Sequence, residues 1–537
     1  MRKTVNFFSK VVGVLTIFAL TSCHTPAKKE QRPSKLPRKE MQKIKINIVT
    51  EPHNIDPHKA RSLNDINITK MFMEGLTKMD KHEEPQLAQA QNVQISDDQL
   101  TYTFSLKKTK WSNGDPVTAQ DFAYAWKRVL SPDFQADNAH QLFVIKNAKD
   151  IKKGDLPVSL LGVSCPDEAT LVIELEHPVP YFLKLVSLPV FFPVNQRVDK
   201  KHPNWAFSVD TFVGNGPFAM STWNHHDKIV ATKNPHYWNA NQVNLEEIEM
   251  LMVSEDTGLQ MFENNQLDWD GAPFSSVSQK TFEKSSYRKQ LKTLPKEATF
   301  WVSMNMEHPL FKEVGMRKAL NYALNKKEIA TLHAHLKQTP IESVIPLATS
   351  SQTKSFKNNV TLAQTLFQES LEKINRSQED FSTIQIAYIA SKQNEALAEF
   401  IQQQWFEHLG ILLKLNPLDT ETFYEKLHKK ELDLVCHNLE TQIVDPAQFL
   451  ETFTDSLALA NWSEPAFTES LTSSFICRDL SQKEAILAQA EKMILDALPI
   501  IPLCNSALVY MQNQKLKNVH ISQLGDVDFS EAYVDSL

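Results

Sequence analysis

The stretch from Leu100 to Arg128 constrains the fold most, because its hydrophobic period changes from that of a strand to that of a helix. A half-buried strand alternates apolar and polar residues, and the alternating apolar residues here are Leu100, Tyr102, Phe104 and Leu106. Turn residues fill 113–116. The apolar residues that then recur at helical spacing, up to Pro132, are Ala119, Phe122, Ala123, Trp126, Val129 and Leu130. With Thr118 and Asp121 as a capping box, the pattern predicts a strand–turn–helix unit of an α/β protein.

The beginning of the chain reads as an export signal. Arg2, Lys3 and Lys10 precede a ten-residue apolar core that ends in Leu-Thr-Ser-Cys at Cys23. A membrane-spanning helix needs about 20 apolar residues, so this core is too short to be one. The tetrad looks like a bacterial lipobox, which predicts a lipoprotein signal peptide over 1–22 and lipidation of Cys23. An ordinary signal peptide with an accidental cysteine is the alternative.

Charge separates a basic tether from an acidic body. Residues 23–42 are rich in Pro, Lys and Arg and read as a lipidated tether close to anionic headgroups. The whole chain carries −7, and its first 42 residues carry +7, which leaves −14 for residues 43–537. Nucleic-acid binding is therefore not expected. Cys165, Cys436, Cys477 and Cys504 are too widely spaced to predict any pairing.

The second half of the chain alternates strand and helix patterns. Residues 384–390, 411–415 and 432–436 read as strands, with helices over 395–409 and 421–429 between them. Such a βαβαβ unit requires a parallel sheet. Near the C-terminus, Ser481 and Glu484 read as a capping box for a last amphipathic helix.

Six segments resemble one family. The run KWSNGDPVTAQDF at 110–122 closely resembles the KWSDGxPVTAxDF segment of the family 5 extracellular solute-binding proteins, the oligopeptide-binding receptors of ABC importers. Further segments resemble that family's motifs in the family's order, and the resemblance covers residues 45–537. They are HPVPYFLKL (177–185), GNGPF (214–218), NPHYW (234–238), VGMRKALNYALNKKEI (314–329) and PIIPL (499–503).

The resemblance implies a two-lobed α/β periplasmic-binding-protein fold, type II, of the large peptide-binding class with an additional small inserted domain. It places lobe I, the inserted domain and lobe II as follows: 43–75 with 194–296 and 500–537, then 76–193, then 297–499. It also implies an extracytoplasmic monomer, lipid-anchored to the cell membrane, that captures peptides by lobe closure and delivers them to ABC importer permease subunits without a cofactor. A non-standard ligand on the same fold (a cell-wall peptide, nickel, haem or a sugar) and a secreted lipoprotein hydrolase are the alternatives.

Catalytic and cofactor motifs are weak. Gly214 to Ala219 formally fits a dinucleotide-binding pattern, but Pro217 and the strand-like residues after it leave no helix N-terminus for a pyrophosphate. The chain has 12 glycines in 537 residues, which makes phosphate-cradling loops improbable. The pairs His225-His226 and His333/His335 lack a third ligand at a recognised spacing, so we expect no metal site.

The resemblance also implies where a ligand would bind. In peptide-binding members, an acid in the loop after a lobe II strand accepts the peptide's α-ammonium, and Gln442 stands at its place. Glu440 could substitute, with Asn438 beside it, or could be a solvent-facing loop acid. Arg61 occupies a position that is acidic in close peptide binders. Tyr124 matches a pocket-lining tyrosine, with a core tyrosine as its alternative.

Together these departures suggest a particular ligand chemistry. A neutral amide accepts an ammonium more weakly than a carboxylate does. The acid that would hold an amine is absent and a base has appeared at Arg61, so we expect a ligand without an ordinary free α-amine, or one with an extra carboxylate. A cell-wall peptide would fit.

Overall fold

The computed structural model describes residues 42–283, 288–332, 338–346, 358–454, 462–477 and 479–535. The predicted signal peptide, Cys23, the tether up to residue 41 and the pair His333/His335 lie outside these ranges. Inside them, no helix has the length and apolar character needed to cross a membrane.

The chain contains both strands and helices. The strands are β1 Lys43–Asn47, β2 Thr77–Met79, β3 Pro85–Leu87, β4 Ala90–Ile95, β5 Thr101–Leu106, β6 Val163–Ser164, β7 Thr170–Glu174, β8 Phe218–Asn224, β9 Lys228–Lys233, β10 Glu247–Leu251, β11 Trp269–Gly271, β12 Leu291–Met304, β13 Gln385–Ile389, β14 Lys414–Leu418, β15 Leu434–Glu440, β16 Ile500–Gln512, β17 Leu516–Lys517, β18 His520–Ile521, β19 Val527–Asp528 and β20 Tyr533–Val534. The α-helices are α1 Leu63–Phe72, α2 Ala119–Leu130, α3 Ala148–Lys153, α4 Phe182–Leu185, α5 Gln196–Lys201, α6 Glu255–Glu263, α7 Lys280–Glu283, α8 Val314–Tyr322, α9 Lys326–Leu332, α10 Val360–Ile374, α11 Lys392–Leu409, α12 Thr420–His428, α13 Pro446–Glu451, α14 Pro465–Ile476 and α15 Leu480–Ala497.

One ten-stranded mixed sheet runs through the molecule in the order β14-β13-β15-β12-β16-β11-β1-β10-β9-β8. The long strands β12 and β16 lie at its centre and pair antiparallel, first over 291–295 and then over 299–303, with one register shift between these parts and a second between Phe300 and Trp301. Strands from the two halves of the chain therefore meet through β12 and β16. A bend in these two strands would move one half against the other.

The division into lobes stays a prediction, but its two expected borders lie on these central strands. Lys296 is inside β12, and Ile500 is the first residue of β16. The predicted inserted domain holds a separate four-stranded sheet in the order β4-β5-β7-β6.

Several local predictions are confirmed. The opening stretch forms β5 and α2, and the Thr118–Asp121 capping box is present. The predicted βαβαβ unit is β13-α11-β14-α12-β15, with β13 parallel to both neighbours. Gly410 ends α11 with φ of 69°, a left-handed conformation that glycine adopts without a Cβ penalty.

Other local predictions are wrong in position. The capping box at Ser481 does not form, because Asp479 is the N-cap of α15 and accepts from the backbone N–H of Gln482. The strand expected over 411–415 is Lys414–Leu418, because its parallel register with β13 begins at Lys414. Ile411 and Leu413 are buried ahead of the strand, which is why they resembled part of it.

A buried carboxylate explains two of the sequence motifs. Glu74 accepts hydrogen bonds from the Tyr237 hydroxyl and the Trp238 indole N–H of NPHYW, each at 2.6 Å. The Asn215 amide of GNGPF donates to the Glu74 carbonyl at 2.9 Å. Burial raises the pKa of Glu74. The NPHYW motif therefore supplies hydrogen bonds to a carboxylate that would be costly to leave unpaired, and the GNGPF motif bonds the backbone of the same residue.

The glycines of GNGPF permit a close backbone approach. Gly216 donates its N–H to the Phe72 carbonyl at 2.8 Å. A Cβ on Gly216 would lie 2.5 Å from the Phe72 carbonyl carbon, a contact that real structures do not tolerate. This segment packs against the end of α1, and Phe218 then starts β8.

A second buried acid predicts how stability depends on pH. Asp270 of β11 accepts from the Asn47 amide at 3.0 Å, and its other carboxylate oxygen has no partner in the described chain. Burial raises the pKa of Asp270 to about 6. The folded protein therefore keeps a proton that the unfolded chain releases, and stability falls as the pH rises from about 4 to about 6.

We expect Asp270→Asn to raise the free energy of unfolding at pH 8 by about 1–2 kcal/mol. Removing the buried charge raises the free energy of unfolding by up to about 3 kcal/mol, and the unpaired amide N–H of the new asparagine lowers that gain. Urea unfolding at pH 4 should show no gain. The exposed Asp133→Asn is the control, and an equal gain at both pH values would contradict the assignment.

Candidate ligand-binding site

Strand β15 has one edge paired and the other largely open. Along one edge its residues 434–440 pair with β12 over Ala298–Met304. Along the other edge β13 pairs with Leu434 and Val435, and the described chain provides no strand beside 436–440. An extended polypeptide can add to such an edge through main-chain hydrogen bonds.

Buried polar atoms without a hydrogen-bond partner among the described residues lie on β12 and β15 near this edge. Thr299 Oγ1 and Trp301 Nε1 on β12 and His437 Nε2 on β15 lie on one face of the sheet, are buried and have no hydrogen-bond partner in the described ranges. Asn438 Oδ1, on the opposite face, also has no partner there. Trp301 and His437 are direct cross-strand neighbours. Leaving buried polar atoms unpaired costs about 1–3 kcal/mol each. A ligand that supplied the missing partners would remove that cost.

The protonation of His437 defines what this cluster can bind. Burial lowers the pKa of His437 to about 4, so the ring is neutral near pH 7. Its Nδ1 lies 3.1 Å from the Asn438 carbonyl and must donate to it, which leaves Nε2 as an acceptor. The indole N–H of Trp301 is a donor. The pair thus presents one donor and one acceptor, matching the C=O and N–H of a peptide group.

Glu440 is already neutralised by a lysine. Its Oε2 lies 2.6 Å from Lys296 Nζ, and its Oε1 accepts from the Asn438 amide at 2.5 Å. The Lys296 side chain is 9% exposed and that of Glu440 is 45% exposed. Both carboxylate oxygens therefore have partners, and the ion pair carries no net charge. Nothing in the local sequence points to this partner, because Lys296 and Glu440 are far apart in the chain.

Gln442 lies half-buried in the short loop between β15 and α13. Asp445 caps α13 by accepting from the Ala447 N–H at 2.8 Å, and Pro446 is its first residue. Proline fits this position because the first helical N–H has no intrahelical partner. The Asp-Pro pair thus fixes the end of the loop that holds Gln442.

The motif HPVPYFLKL contacts that loop from the predicted inserted domain. Lys184 Nζ donates to the Val444 carbonyl at 3.0 Å, and the Tyr181 hydroxyl donates to the Glu451 carboxylate. The His177 ring stacks on Phe475 with centroids 6.3 Å apart. Sequence reasoning missed these contacts because they join residues more than 250 positions apart.

Tyr124 belongs to another hydrogen-bonded network. Its hydroxyl donates to Asp199 at 2.6 Å, and Arg128 bridges Asp199 at 3.1 Å and Asp56 at 2.5 Å. Burial, with the Asp199 carboxylate, raises the pKa of Tyr124. This network ties α2 to the Asp-Pro-His loop before α1. No hydrogen bond found among the described residues joins Tyr124 to residues 438–442.

Arg61 and the adjacent histidines His225 and His226 lie at the surface. Arg61 is exposed and stands directly before Ser62, the N-cap of α1. His225 and His226 both face Glu51, with Nδ1 to carboxylate distances of 2.5 and 3.3 Å. The structure thus joins Asn438 to Glu440 directly, and it gives no contact between these two and Tyr124.

Comparison with known proteins identifies the family. Residues 83–460 match the model described as "Bacterial extracellular solute-binding proteins, family 5 Middle". The match covers more than half of the chain, so the chain belongs to family 5 of the bacterial extracellular solute-binding proteins. It is a solute-binding receptor and not an enzyme.

Relatives and solved structures align with this chain over almost its whole length. The oligopeptide-binding protein OppA of Bacillus subtilis is 30% identical, over 91% of this chain and 92% of its own. The dipeptide-binding protein DppE of the same organism is 30% identical, over 96% of both chains. The structure of the Escherichia coli murein tripeptide binding protein MppA superposes with a TM-score of 0.76 at 22% identity, over 92% of this chain and 99% of its own, which shows the shared fold.

The Lys296–Glu440 pair can be tested through stability. In a double-mutant cycle with Lys296→Met and Glu440→Gln, we expect a coupling energy of about 1 kcal/mol, because Lys296 is nearly buried although Glu440 is not. The exposed i,i+4 pair Lys429 and Glu425 of the same half is the control, with an expected coupling of about 0.3–0.5 kcal/mol. Urea unfolding measures both cycles. Equal couplings would contradict a special role for Lys296.

Proposed function

We propose that this receptor captures a peptide along the open edge of β15 and delivers it to an ABC importer. The observation that carries the proposal is the unpaired edge at 436–440 beside the donor of Trp301 and the acceptor of His437. Main-chain hydrogen bonds give affinity without reading side chains. The names of the B. subtilis relatives, oligopeptide- and dipeptide-binding, support a peptide as the ligand.

Binding and lobe closure would be coupled through the central strands. Lobe I, the inserted domain and lobe II, with the borders predicted from sequence, would close over the ligand by bending β12 and β16. Moving the open–closed equilibrium from 1:99 to 99:1 takes about 5.5 kcal/mol of differential affinity. A ligand that satisfied the unpaired atoms of both strands could supply much of that difference.

The ligand's amino end would not be held by a carboxylate. Gln442 is neutral, and Glu440 already has Lys296 and Asn438 as partners. We therefore propose a peptide that lacks an ordinary free α-amine or carries an extra carboxylate, and a cell-wall peptide fits this description. The murein tripeptide named for the E. coli protein of the same fold makes that class worth testing first. Arg61 and Tyr124 are further candidate contacts.

The receptor would work outside the cytoplasm as a monomer. Lipidation of Cys23 would hold it at the membrane, and the basic tether up to residue 42 would leave the body room to meet the permease subunits. The acidic body, with −14 over residues 43–537, gives no reason to expect nucleic acid as a partner.

Native mass spectrometry of the purified protein tests the proposed function most directly. We expect an adduct with the mass of a peptide, and a smaller radius of gyration by small-angle scattering when that peptide is added back to stripped protein. Turnover of the added compound would instead support a hydrolase. Absence of any adduct together with no peptide-dependent compaction would overturn the peptide-receptor proposal.

Substituting Gln442 tests where the amino end lies. We expect Gln442→Asp to raise affinity for free-amine peptides about tenfold, because a carboxylate forms a stronger charge-assisted bond with an ammonium. Titration calorimetry with free-amine and N-acetylated forms of one peptide measures the difference. The acetylated form should show no gain, and no gain for the free amine would remove Gln442 from the site.

Glu440→Gln provides the companion measurement. If Glu440 replaces the missing acid as the amine acceptor, this variant loses affinity for free-amine peptides and keeps it for acetylated ones. If Glu440 binds only Lys296 and Asn438, the variant keeps its affinity for both peptides, and the surrogate role is excluded.

A further inference from the structure

Three side chains of the HPVPYFLKL motif reach from the predicted inserted domain to predicted lobe II. The Tyr181 hydroxyl donates to the Glu451 carboxylate, and Lys184 Nζ donates to the Val444 carbonyl at 3.0 Å. The Tyr181 ring also packs edge-on against Phe475, with centroids 6.4 Å apart. We name this set of residues the clasp: His177, Tyr181 and Lys184 on one side, with Phe475, Glu451 and Val444 on the other.

The motif side of the clasp is fixed within the predicted inserted domain. Phe182, which follows Tyr181, is fully buried, and its ring centroid lies 4.7 Å from that of Tyr102 on β5. Lys184 Nζ lies 3.8 Å from the Glu84 carboxylate of the same domain. These contacts do not involve lobe II, so they would hold the motif in place whether or not the clasp is formed.

The predicted inserted domain is bonded in turn to predicted lobe I. Arg128 of α2 forms an ion pair with Asp56 at 2.5 Å. The Ser112 N–H donates to the Gly214 carbonyl at 2.8 Å. Asp56 and Gly214 both lie in predicted lobe I, so a movement of that lobe would carry the inserted domain with it.

The partner side of the clasp is attached to the other half of the central sheet. Val444 lies in the loop after β15, and Glu451 is the last residue of α13. Phe449 of this helix packs against Trp301 with ring centroids 5.6 Å apart. Trp301 lies on the part of β12 that pairs with β15. A bend in β12 and β16 would therefore separate the two sides of the clasp.

We propose that the clasp forms when the lobes close and that it sets how long the ligand stays bound. The inference rests on the proposed function, in which closure holds a peptide at β15, and it gives the inserted domain a role in that closure. Lys184 bonds the loop that carries Gln442. The clasp would therefore also position this loop, and it would do so only in the closed receptor.

The hydrogen bond between Tyr181 and Glu451 is the contact to remove. Burial raises the pKa of Glu451, so its carboxylate lies where water solvates it poorly. Without the Tyr181 hydroxyl, the closed receptor would bury this carboxylate short of a donor, which costs more than the bond itself contributes. In an open receptor water would solvate the carboxylate. Tyr181→Phe should therefore destabilise the closed state and leave the first encounter with the ligand unchanged.

The test measures association and dissociation rates of N-acetyl oligoalanines of two to six residues by surface plasmon resonance on the full chain. The unaltered protein is compared with Tyr181→Phe. Tyr237→Phe is the matched control, because the Tyr237 hydroxyl donates to the buried Glu74 carboxylate at 2.6 Å within predicted lobe I. Urea unfolding of both variants measures their loss of stability separately from the binding rates.

We expect Tyr181→Phe to release every bound peptide about tenfold faster, with an unchanged association rate. The factor should be the same for all peptide lengths, because the clasp is made within the protein. Adding Glu451→Gln to Tyr181→Phe should slow release again, since a neutral amide leaves no buried charge. Tyr237→Phe should change neither rate, even though it lowers stability.

Three results would overturn the clasp while leaving peptide binding at β15 intact. They are an unchanged release rate in Tyr181→Phe, an equal acceleration in Tyr237→Phe, and a factor that varies with peptide length, which would indicate a direct ligand contact. If the unaltered protein binds none of these peptides, the proposed function itself fails, and the inference falls with it.

Discussion

The hydrogen-bonded ladder between β12 and β16 is the interaction on which the rest of the structure depends. It joins strands from the two halves of the chain into one sheet, and two register shifts interrupt the ladder. The same β12 carries Lys296 at Glu440, and it places Thr299 and Trp301 directly opposite Leu439 and His437 of β15. The ladder therefore positions the candidate ligand contacts and is also where the halves would bend.

Electrostatics at the end of β15 is the basis of the proposed ligand chemistry. A free carboxylate there would attract an α-amine, but Glu440 is paired with Lys296 and Gln442 is uncharged. On the proposed function, the indole N–H of Trp301 and the imidazole acceptor of His437 would suit a neutral peptide group better than an ammonium group.

Much of the local structure could be predicted from the sequence. The strand and helix around Asn113, the capping box at Thr118 and the βαβαβ unit follow from side-chain period and from local hydrogen bonds within a few residues. The two wrong positions have different causes. At Ser481, a neighbouring Asp479 capped the helix instead, and at Ile411 burial in the core did not require a place in the ladder. The family motifs pointed to the right fold before their physical role, the hydrogen bonding of Glu74, was visible.

The element types, the acidic body, the family resemblance and the absence of an acid at position 442 could all be predicted from the sequence, because these depend on composition and on neighbouring residues. Tertiary structure decided that Lys296 neutralises Glu440, that Tyr124 is bonded to Asp199, and that β15 has an open edge. Each of these depends on groups separated by tens to hundreds of residues, and only the folded sheet brings them within hydrogen-bond distance.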